Sequence, residues 1–561
     1  MYLIYKYVIR NSDIPRFLRS KTMGKKLLCL IMALCCIFGL VACGEDTIPA
    51  DKAEVDSTSG GFVAETKDYL YFINGIESYS TDYTTGDVTK GALLRVKKAD
   101  FATRNAEDKY ANAYETVVSK LFVADDKNAG IYIFGDYVYY AVPSLERDKT
   151  GAIKKDQLNF FRTNLNGGDT SKNIADRDFA HSATYRYIKS GDGIYLVVHS
   201  TELYVYDAIK GGLVYTTEAK EDDKKVDKID VVEVLFSQNN VYFTSLPVNK
   251  LLSNEDNIQK DAFHVVYKVD FANKTEVMVM NGAGTKLVNG TDNKDSSGNA
   301  IGFGLLGVTI DLLRVDAGKL YFSYTSLNTV SSTTPVYVEV AESVLVANYA
   351  NAWHKEGTLK FLTVTNKNTA SIFADTSIFH AGKIYYVDGT FGLLVFDPAQ
   401  INSADLGVKV LRYSDTIKGA TLDFVSVEGE VSYIYFHDAS NNYYKLNLDG
   451  KSEEFRINKL AINSSWYKPE VVKVGEKYYF VASYSDAKFK SYLYVIDMAD
   501  VKAKYDAWDA DTSEDKAEDF YAVEEEEDDI TFDELAKENG LLGKISEADL
   551  KVEEESTSES K

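Results

Sequence analysis

The sequence predicts an all-β protein, a β-propeller of about eight four-stranded blades followed by a disordered acidic C-terminal tail. Three observations predict it. A short motif centred on Tyr recurs eight times between residues 62 and 500. An apolar strand that often closes on Asp or Asn follows these copies. Tyr and Phe are abundant, at 40 and 28 residues, whereas Pro numbers only 7, and this composition favours strands.

The recurring motif is a turn followed by a hydrophobe, the Tyr, and an aromatic or aliphatic residue, as in Gly382 to Tyr386. The central residues are Tyr71, Tyr139, Tyr195, Tyr242, Tyr321, Tyr385, Tyr435 and Tyr479. Successive copies lie 44 to 79 residues apart. The shortest spacings match a blade period of about 40–50 residues, and the longer ones predict insertions in loops.

Each motif copy is flanked by further strand candidates. Residues 130–134 precede one copy, residues 203–207 and 213–215 follow another, and a weaker third-strand candidate is 344–347. Four short strands per unit is the content of one propeller blade. Seven blades is the alternative, because the last unit shows no convincing fourth strand. A β-solenoid or two β-sandwiches is the competing architecture, which the uneven spacing and hairpin turns disfavour.

The amino terminus carries a separate signal. Met23-Gly24-Lys25-Lys26 is a short basic segment, residues 27–40 are apolar, and Leu40-Val41-Ala42-Cys43 follows at once. This order resembles a bacterial lipoprotein signal peptide, whose lipobox ends in a cysteine that is diacylated and becomes the new amino terminus. The alternative, a transmembrane anchor, needs about 20 apolar residues. The resemblance therefore implies lipidation at Cys43 and a bacterial cell-membrane location on the extracytoplasmic face.

These signals divide the chain into four parts. Residues 1–42 form a signal-peptide region, with Met23 as the expected true start, and 43–61 form a lipidated flexible tether. The propeller is expected over 62–500 and the acidic tail, with short helices, over 501–561. All four cysteines lie at or before Cys43, so disulfides and Cys-ligated metals are excluded from the folded part.

The propeller resembles the TolB-like and quinoprotein-like β-propellers of secreted bacterial proteins, over roughly residues 62 to 500. The resemblance is specific for architecture and not for activity, since this scaffold hosts many functions. The chain departs from it in one useful way: it has only three Trp, so the Trp-docking blades of quinoproteins are absent. No quinone is therefore implied, and we predict no cofactor.

The net charge of the chain limits the classes of molecule that it can bind. The formal net charge is −23, and the chain from residue 43 onward holds 55 basic and 84 acidic side chains, a net charge of −29. Such a surface repels phosphate backbones and argues against nucleic acid. Residues 501–561 hold 22 acidic and seven basic side chains. We interpret them as a solvated tail, with a docking peptide for a basic partner as the alternative.

Catalytic and metal motifs are scarce. Residues 302–307 match the GxGxxG pattern, but a polar loop precedes them and a strand-like segment follows, so we interpret them as loop glycines. The six His are never closer than 18 residues in sequence and show no zinc spacing. Calcium candidates are Asp292, Asp295 and Asn299, in a Gly-rich loop without EF-hand order.

The Tyr excess suggests sugar stacking, but most repeat Tyr should pack between blades with the hydroxyl satisfied. The ligand candidates are instead aromatic residues expected on the rim: Tyr79, Tyr83 and Trp353. We predict a membrane-anchored lipoprotein that acts as a binding or scaffold propeller for a protein or glycan, without catalytic chemistry of its own. The alternative is a polysaccharide-active hydrolase or lyase at the cell envelope, with carboxylates at the channel mouth.

Overall fold

The chain divides into two compact units, residues 1–50 and 51–561, and every residue described below belongs to the second. The computed structural model describes residues 60–73, 92–102, 115–118, 130–143, 149–150, 157–167, 172–180, 182–218, 229–246, 263–284, 292, 294, 297–298, 307–327, 334–347, 353, 359–362, 369–449, 454–458, 469–484, 492–513, 516 and 541–542. The lipobox and most of the predicted tail therefore lie outside the described residues.

Eight four-stranded antiparallel sheets form the blades of a ring, a β-propeller. Blade 1 contains β1 Val63–Glu65, β2 Tyr69–Ile73, β3 Leu93–Lys97 and β4 Glu115–Val118. Blade 2 contains β5 Tyr132–Phe134, β6 Tyr137–Pro143, β7 Gln157–Asn164 and β8 Lys172–Asn173, and the short strand β9 Phe179–Ala180 also pairs with β7. Blade 3 contains β10 Thr184–Ser190, β11 Gly193–His199, β12 Leu203–Asp207 and β13 Leu213–Thr216. Blade 4 contains β14 Val231–Phe236, β15 Val241–Ser245, β16 Val265–Asp270 and β17 Thr275–Asn281.

The second half of the ring repeats the pattern. Blade 5 contains β18 Val308–Asp316, β19 Lys319–Ser326, β20 Val336–Ala341 and β21 Lys360–Phe361. Blade 6 contains β22 Ile378–His380, β23 Lys383–Asp388, β24 Gly392–Phe396 and β25 Val408–Arg412. Blade 7 contains β26 Thr421–Glu428, β27 Val431–His437, β28 Tyr443–Asn447 and β29 Phe455–Arg456. Blade 8 contains β30 Glu470–Val474, β31 Lys477–Tyr484, β32 Tyr492–Asp497 and β33 Leu541–Leu542.

Helices are few and short. They are α1 Lys98–Ala102, α2 Thr369–Ile372, α3 Asp415–Lys418 and α4 Met498–Ala510, with 3₁₀ turns at Glu342–Val344 and Pro398–Gln400. None of the helices in the described part of the chain has the length and apolar character needed to cross a bilayer. The α4 helix begins directly after β32, the third strand of blade 8, where the Asp497 side chain accepts hydrogen bonds from the backbone N–H groups of Ala499 and Asp500.

The sequence prediction of eight blades is confirmed, and the seven-blade alternative is not needed. Each repeat Tyr lies on the second strand of its blade, from β2 to β31. The missing fourth strand of the last blade is β33, which pairs with β32 from within the predicted tail. The sequence also predicts a short helix that begins at Thr531, with Thr531 as N-cap and Glu534 three residues on, but that segment lies outside the described residues.

One predicted strand is wrong. Residues 344–347 were expected to be the third strand of blade 5, but that strand is β20, and a 3₁₀ turn at Glu342–Val344 follows it. The physical reason is burial, because Val338 and Val340 point into the core whereas Val344 and Val346 are 42% and 53% exposed. The short alternation at 344–347 therefore never meets a partner strand.

The repeat Tyr residues fasten each blade to the next. Seven of the eight are at most 5% exposed, and Tyr195 is half-buried. The Tyr71 hydroxyl donates a hydrogen bond to the carbonyl of Leu165 in blade 2, at 3.1 Å. The Tyr242 hydroxyl donates to Glu342 of blade 5, at 2.9 Å.

The remaining repeat Tyr residues pack by ring contact. The contacts across junctions are Tyr139 with Tyr187 at 5.3 Å, Tyr195 with Phe271 at 4.6 Å, Tyr321 with Phe379 at 5.0 Å, Tyr435 with Phe480 at 6.0 Å and Tyr479 with Phe101 at 5.0 Å between ring centroids. Tyr385 packs in one apolar cluster with Leu422 and Phe436 of blade 7. All eight junctions thus use the same side chain, because one blade cannot bury both faces alone.

Replacing Tyr242 tests this role. Tyr242→Ala should lower the free energy of unfolding by about 3–5 kcal/mol, because it empties a fully buried inter-blade site. Tyr242→Phe should cost only about 1–2 kcal/mol, the loss of the hydrogen bond to Glu342. Urea unfolding followed by circular dichroism measures both. Val410→Ala, at a site 54% exposed, is the control and should change stability by less than about 0.5 kcal/mol.

Candidate functional site

Four ionisable side chains lie at one level of the axial channel. The first strands of adjacent blades contact one another, so these strands line the axis. On them, each of the four residues pairs with the residue two positions after the repeat Tyr of its blade. The pairs are Arg186 with Val197, Glu233 with Thr244, Asp311 with Ser323 and Glu470 with Val481. We call these four residues the axial ring.

Two β-bulges interrupt the first strands next to this level. The register of β14 shifts between Val231 and Glu233, and that of β18 shifts between Leu312 and Arg314. A bulge re-aims the side chains beside it and increases the local twist. The bulges therefore set the directions of Glu233 and Arg314, which a regular strand would place differently.

Glu233 joins blade 4 to blade 5. Its Oε2 accepts a hydrogen bond from the backbone N–H of Leu312 at 2.8 Å. Burial raises the pKa of Glu233, the charges of Asp311 and Asp375 raise it further, and the bond from Leu312 opposes them. Glu233 thus links the two blades through a hydrogen bond, while its buried surroundings disfavour the charged form of its carboxyl group.

Glu470 makes the equivalent contact between blade 8 and blade 1. Its carboxylate accepts hydrogen bonds from the backbone N–H groups of Phe62 and Val63. Burial raises the pKa of Glu470 to about 8, despite those two bonds. A Cβ at Gly61 would lie 1.9 Å from Oε1 of Glu470, so only glycine lets the carboxylate approach.

Arg314 carries a guanidinium without an ion pair. Within the described part of the chain it makes no salt bridge, and its guanidinium carbon lies 5.8 Å from the centre of the Phe379 ring. Desolvation lowers the pKa of Arg314, opposed by the charges of Asp316 and Asp375 and reinforced by Arg186. The side chain is nevertheless exposed, as expected of a group in a solvent-filled channel with protein on every side.

The Phe379 ring beside this guanidinium belongs to a group of aromatic rings at the junction of blades 5 and 6. Tyr337 stacks on Phe373, with ring centroids 4.4 Å apart, and Phe379 is half-buried. Asp311 and Asp375 are exposed beside them. We call Asp311, Arg314, Tyr337, Asp375 and Phe379 the binding patch. It offers donors, acceptors and apolar faces to a polar ligand.

The candidate residues from the sequence do not assemble at this patch. Trp353 is fully buried between blades 4 and 5, where its Nε1 donates to the carbonyl of Asn281 at 2.9 Å, so the face that a sugar would need is covered. Asp292 is exposed and lies 3.4 Å from Lys294. Cys43, Tyr79, Tyr83, Asp295 and Asn299 lie outside the described residues.

No group of three or more metal-ligating side chains occurs among the residues described above. Two of the histidines are engaged with their own fold: Nδ1 of His437 lies 2.7 Å from Asp423, and Nδ1 of His264 lies 2.8 Å from the carbonyl of Ile310. Both are partly buried and belong to strands or their edges, as the sequence predicted for histidines. The strand expected after the GxGxxG string is also confirmed, as β18.

Sequence reasoning missed the axial ring and the binding patch. The available signal was a charge inside an otherwise apolar first strand, as with Glu233 in Val231–Phe236 and Asp311 in Val308–Asp316. Such a charge is costly unless it is paired or faces solvent. It therefore marks the channel-facing position, but which blades bring these charges together follows only from the register.

Comparison with known proteins gives a likeness of fold. No family model matches the chain, and no curated protein matches it. Among solved structures it is similar to the computationally designed protein Ika8, at 7% identity and a TM-score of 0.37, over 80% of this chain and 98% of that one. It is also similar to BamB from Moraxella catarrhalis, at 11% identity and a TM-score of 0.34, over 76% and 95%.

A third likeness is to the β-propeller domain of the Trilobed protease from Pyrococcus furiosus. The identity is 10% and the TM-score 0.32, over 65% of this chain and 91% of that chain. At such identities only the fold is shared, so no ligand, partner or activity of these proteins is carried over.

The raised pKa of Glu233 predicts a pH-dependent mutant. The charged form is disfavoured in the folded state, so wild-type stability falls as pH rises above about 4.5, the ordinary value for Glu. Glu233→Gln keeps an acceptor for Leu312 and removes the charge. Its melting temperature should exceed that of the wild type at pH 8 and approach it at pH 4. Equal destabilisation at both pH values would contradict the charge argument.

Proposed function

We propose that this protein is a bacterial membrane-anchored lipoprotein that acts as a non-catalytic binding propeller on the extracytoplasmic face of the membrane. Its ligand contacts the binding patch at the junction of blades 5 and 6. The observation that carries the binding role is Arg314, an exposed guanidinium beside the Phe379 ring that makes no salt bridge within the described part of the chain. The anchor rests on the sequence from Met23 to Cys43.

The chemistry of the patch favours a glycan. Aromatic faces pack against the apolar face of a sugar ring, while carboxylates and a guanidinium exchange hydrogen bonds with hydroxyl groups. Asp311 and Asp375 are exposed, so both can accept from such a ligand. Their charges disfavour a polyanion, which leaves uncharged or mixed-charge polysaccharide segments as the best fit.

The patch supports binding better than catalysis. Glu233 is the carboxyl next to it with a raised pKa, and its Oε2 is already bonded to Leu312. A glycosidase would need one such acid and a second carboxylate flanking the same bond. The described residues give that alternative no specific support, so it is not part of the proposal.

A melting scan tests the binding role. The full chain is scanned against neutral and mixed-charge wall polysaccharides and host glycans. A ligand at 100 times its dissociation constant should stabilise the protein by about 2.7 kcal/mol. Arg314→Ala should abolish the shift, whereas Lys409→Ala, at an exposed site on the outer edge of blade 6, should leave it intact. A flat panel, or a shift that survives Arg314→Ala, would reject the patch as a glycan site and direct the search to protein ligands.

Replacing Cys43 tests the anchor. Cys43→Ser should block diacylation, so the protein should move from the membrane fraction to the soluble or retained precursor fraction. Metabolic labelling with a palmitate analogue, followed by fractionation, measures both effects. Ala42→Ser, which keeps a small residue before the cysteine, is the control and should remain labelled. Labelling that persists in Cys43→Ser would reject the lipobox.

A further inference from the structure

The junction between blades 8 and 1 differs from the other seven in its covalent connection. Each sheet is built from four strands that are consecutive in the chain, so blade 1 uses strands within 63–118 and blade 8 uses strands within 470–542. Neighbouring blades elsewhere are joined by the chain that runs from one to the next. Among the described residues, blades 8 and 1 meet through side chains and hydrogen bonds, and no strand of one blade pairs within the sheet of the other.

Apolar packing supplies most of this contact. One cluster contains Phe62, Leu70 and Phe101 of blade 1 together with Val472 and Tyr479 of blade 8. The rings of Phe101 and Tyr479 meet edge to face, with centroids 5.0 Å apart. This packing is non-directional, so it does not fix the register of β1 against β30.

Glu470 supplies the directional contact. Its carboxylate reaches across the junction to the backbone N–H groups of Phe62 and Val63, at the place where Gly61 leaves room for it. Glu233 does the same between blades 4 and 5 with the N–H of Leu312. The two carboxylates occupy equivalent positions, but only Glu470 acts where no chain segment holds the blades together.

We propose that the junction of blades 8 and 1 is a releasable clasp, fastened by Glu470, at which the ring opens while the other seven junctions stay closed. Opening here breaks two backbone-to-carboxylate hydrogen bonds and separates one apolar cluster, and it leaves all eight sheets intact. Opening at any other junction also has to move the connecting chain.

The clasp takes up a proton when it closes. In the closed ring burial raises the pKa of Glu470 to about 8, against 4.5 for an ordinary glutamate in the open ring. The closed state therefore binds the proton more tightly, and closure weakens as pH rises from about 4.5 to 8. One proton changes such an equilibrium by at most about tenfold per pH unit.

The charges around Glu470 agree with this direction. On β1, Glu65 raises its pKa further, and Glu65 is itself 2.9 Å from Lys98 of α1. On its own strand, Lys473 is exposed, and on β31 Lys477 pairs with Asp497 at 2.6 Å. Asp100 of α1, the remaining acid on an element that contacts β30, adds a second negative charge on the blade 1 side.

Hydrogen–deuterium exchange of the full chain tests the clasp. After correction for intrinsic exchange, protection of β1 and β30 should fall between pH 6 and pH 8.5, by up to about tenfold per pH unit, and protection of β14 and β18 should fall less. Glu470→Gln keeps an acceptor and should make protection of β1 and β30 independent of pH. Glu470→Ala should expose them at both pH values.

Glu233→Ala is the matched control, because it removes the equivalent fastener at a junction with a connecting chain. It should raise exchange at β14 and β18 at least tenfold less than Glu470→Ala raises it at β1 and β30. Equal effects of the two variants would overturn the proposal, as would unchanged protection of β1 and β30 in Glu470→Ala. Loss of protection in all eight blades together would also overturn it, because the junction would then not open on its own.

Discussion

The fold depends on one repeated interaction, the side chain of the second-strand Tyr crossing to the following blade. A four-stranded sheet has two apolar faces, and each blade covers one face of its neighbour. Tyr suits the position because its ring fills the space between sheets, and at two junctions its hydroxyl also reaches a polar group of another blade, as Tyr71 reaches Leu165 and Tyr242 reaches Glu342. The ring of blades follows from this contact repeated eight times.

Charges near the axis have two different roles. Glu233 and Glu470 accept hydrogen bonds from backbone N–H groups of the next blade, and burial raises the pKa of both carboxyl groups. Arg314, Asp311 and Asp375 are exposed instead. The same level of the ring therefore contains structural carboxylates and exposed charges, and only their hydrogen-bond partners distinguish them.

Much of the architecture could be predicted from the sequence, because the Tyr motif and the strand that follows it are local patterns. All eight second strands were located, whereas residues 344–347 were misassigned, since a short apolar alternation does not reveal whether a partner strand exists. The binding patch could not be predicted. It requires knowing that blades 5 and 6 bring Arg314 and Phe379 together, and Trp353, which looked suited to a rim, proved to be a core residue.

The position of β33 has a consequence for the order in which the protein is built. Blade 8 obtains its fourth strand from residues 541–542, well after the third strand ends at Asp497. A chain that emerges amino terminus first can complete seven blades while this segment is still inside the ribosome. The eighth sheet is therefore the last to be finished, and its third strand presents an open edge until residue 542 has emerged.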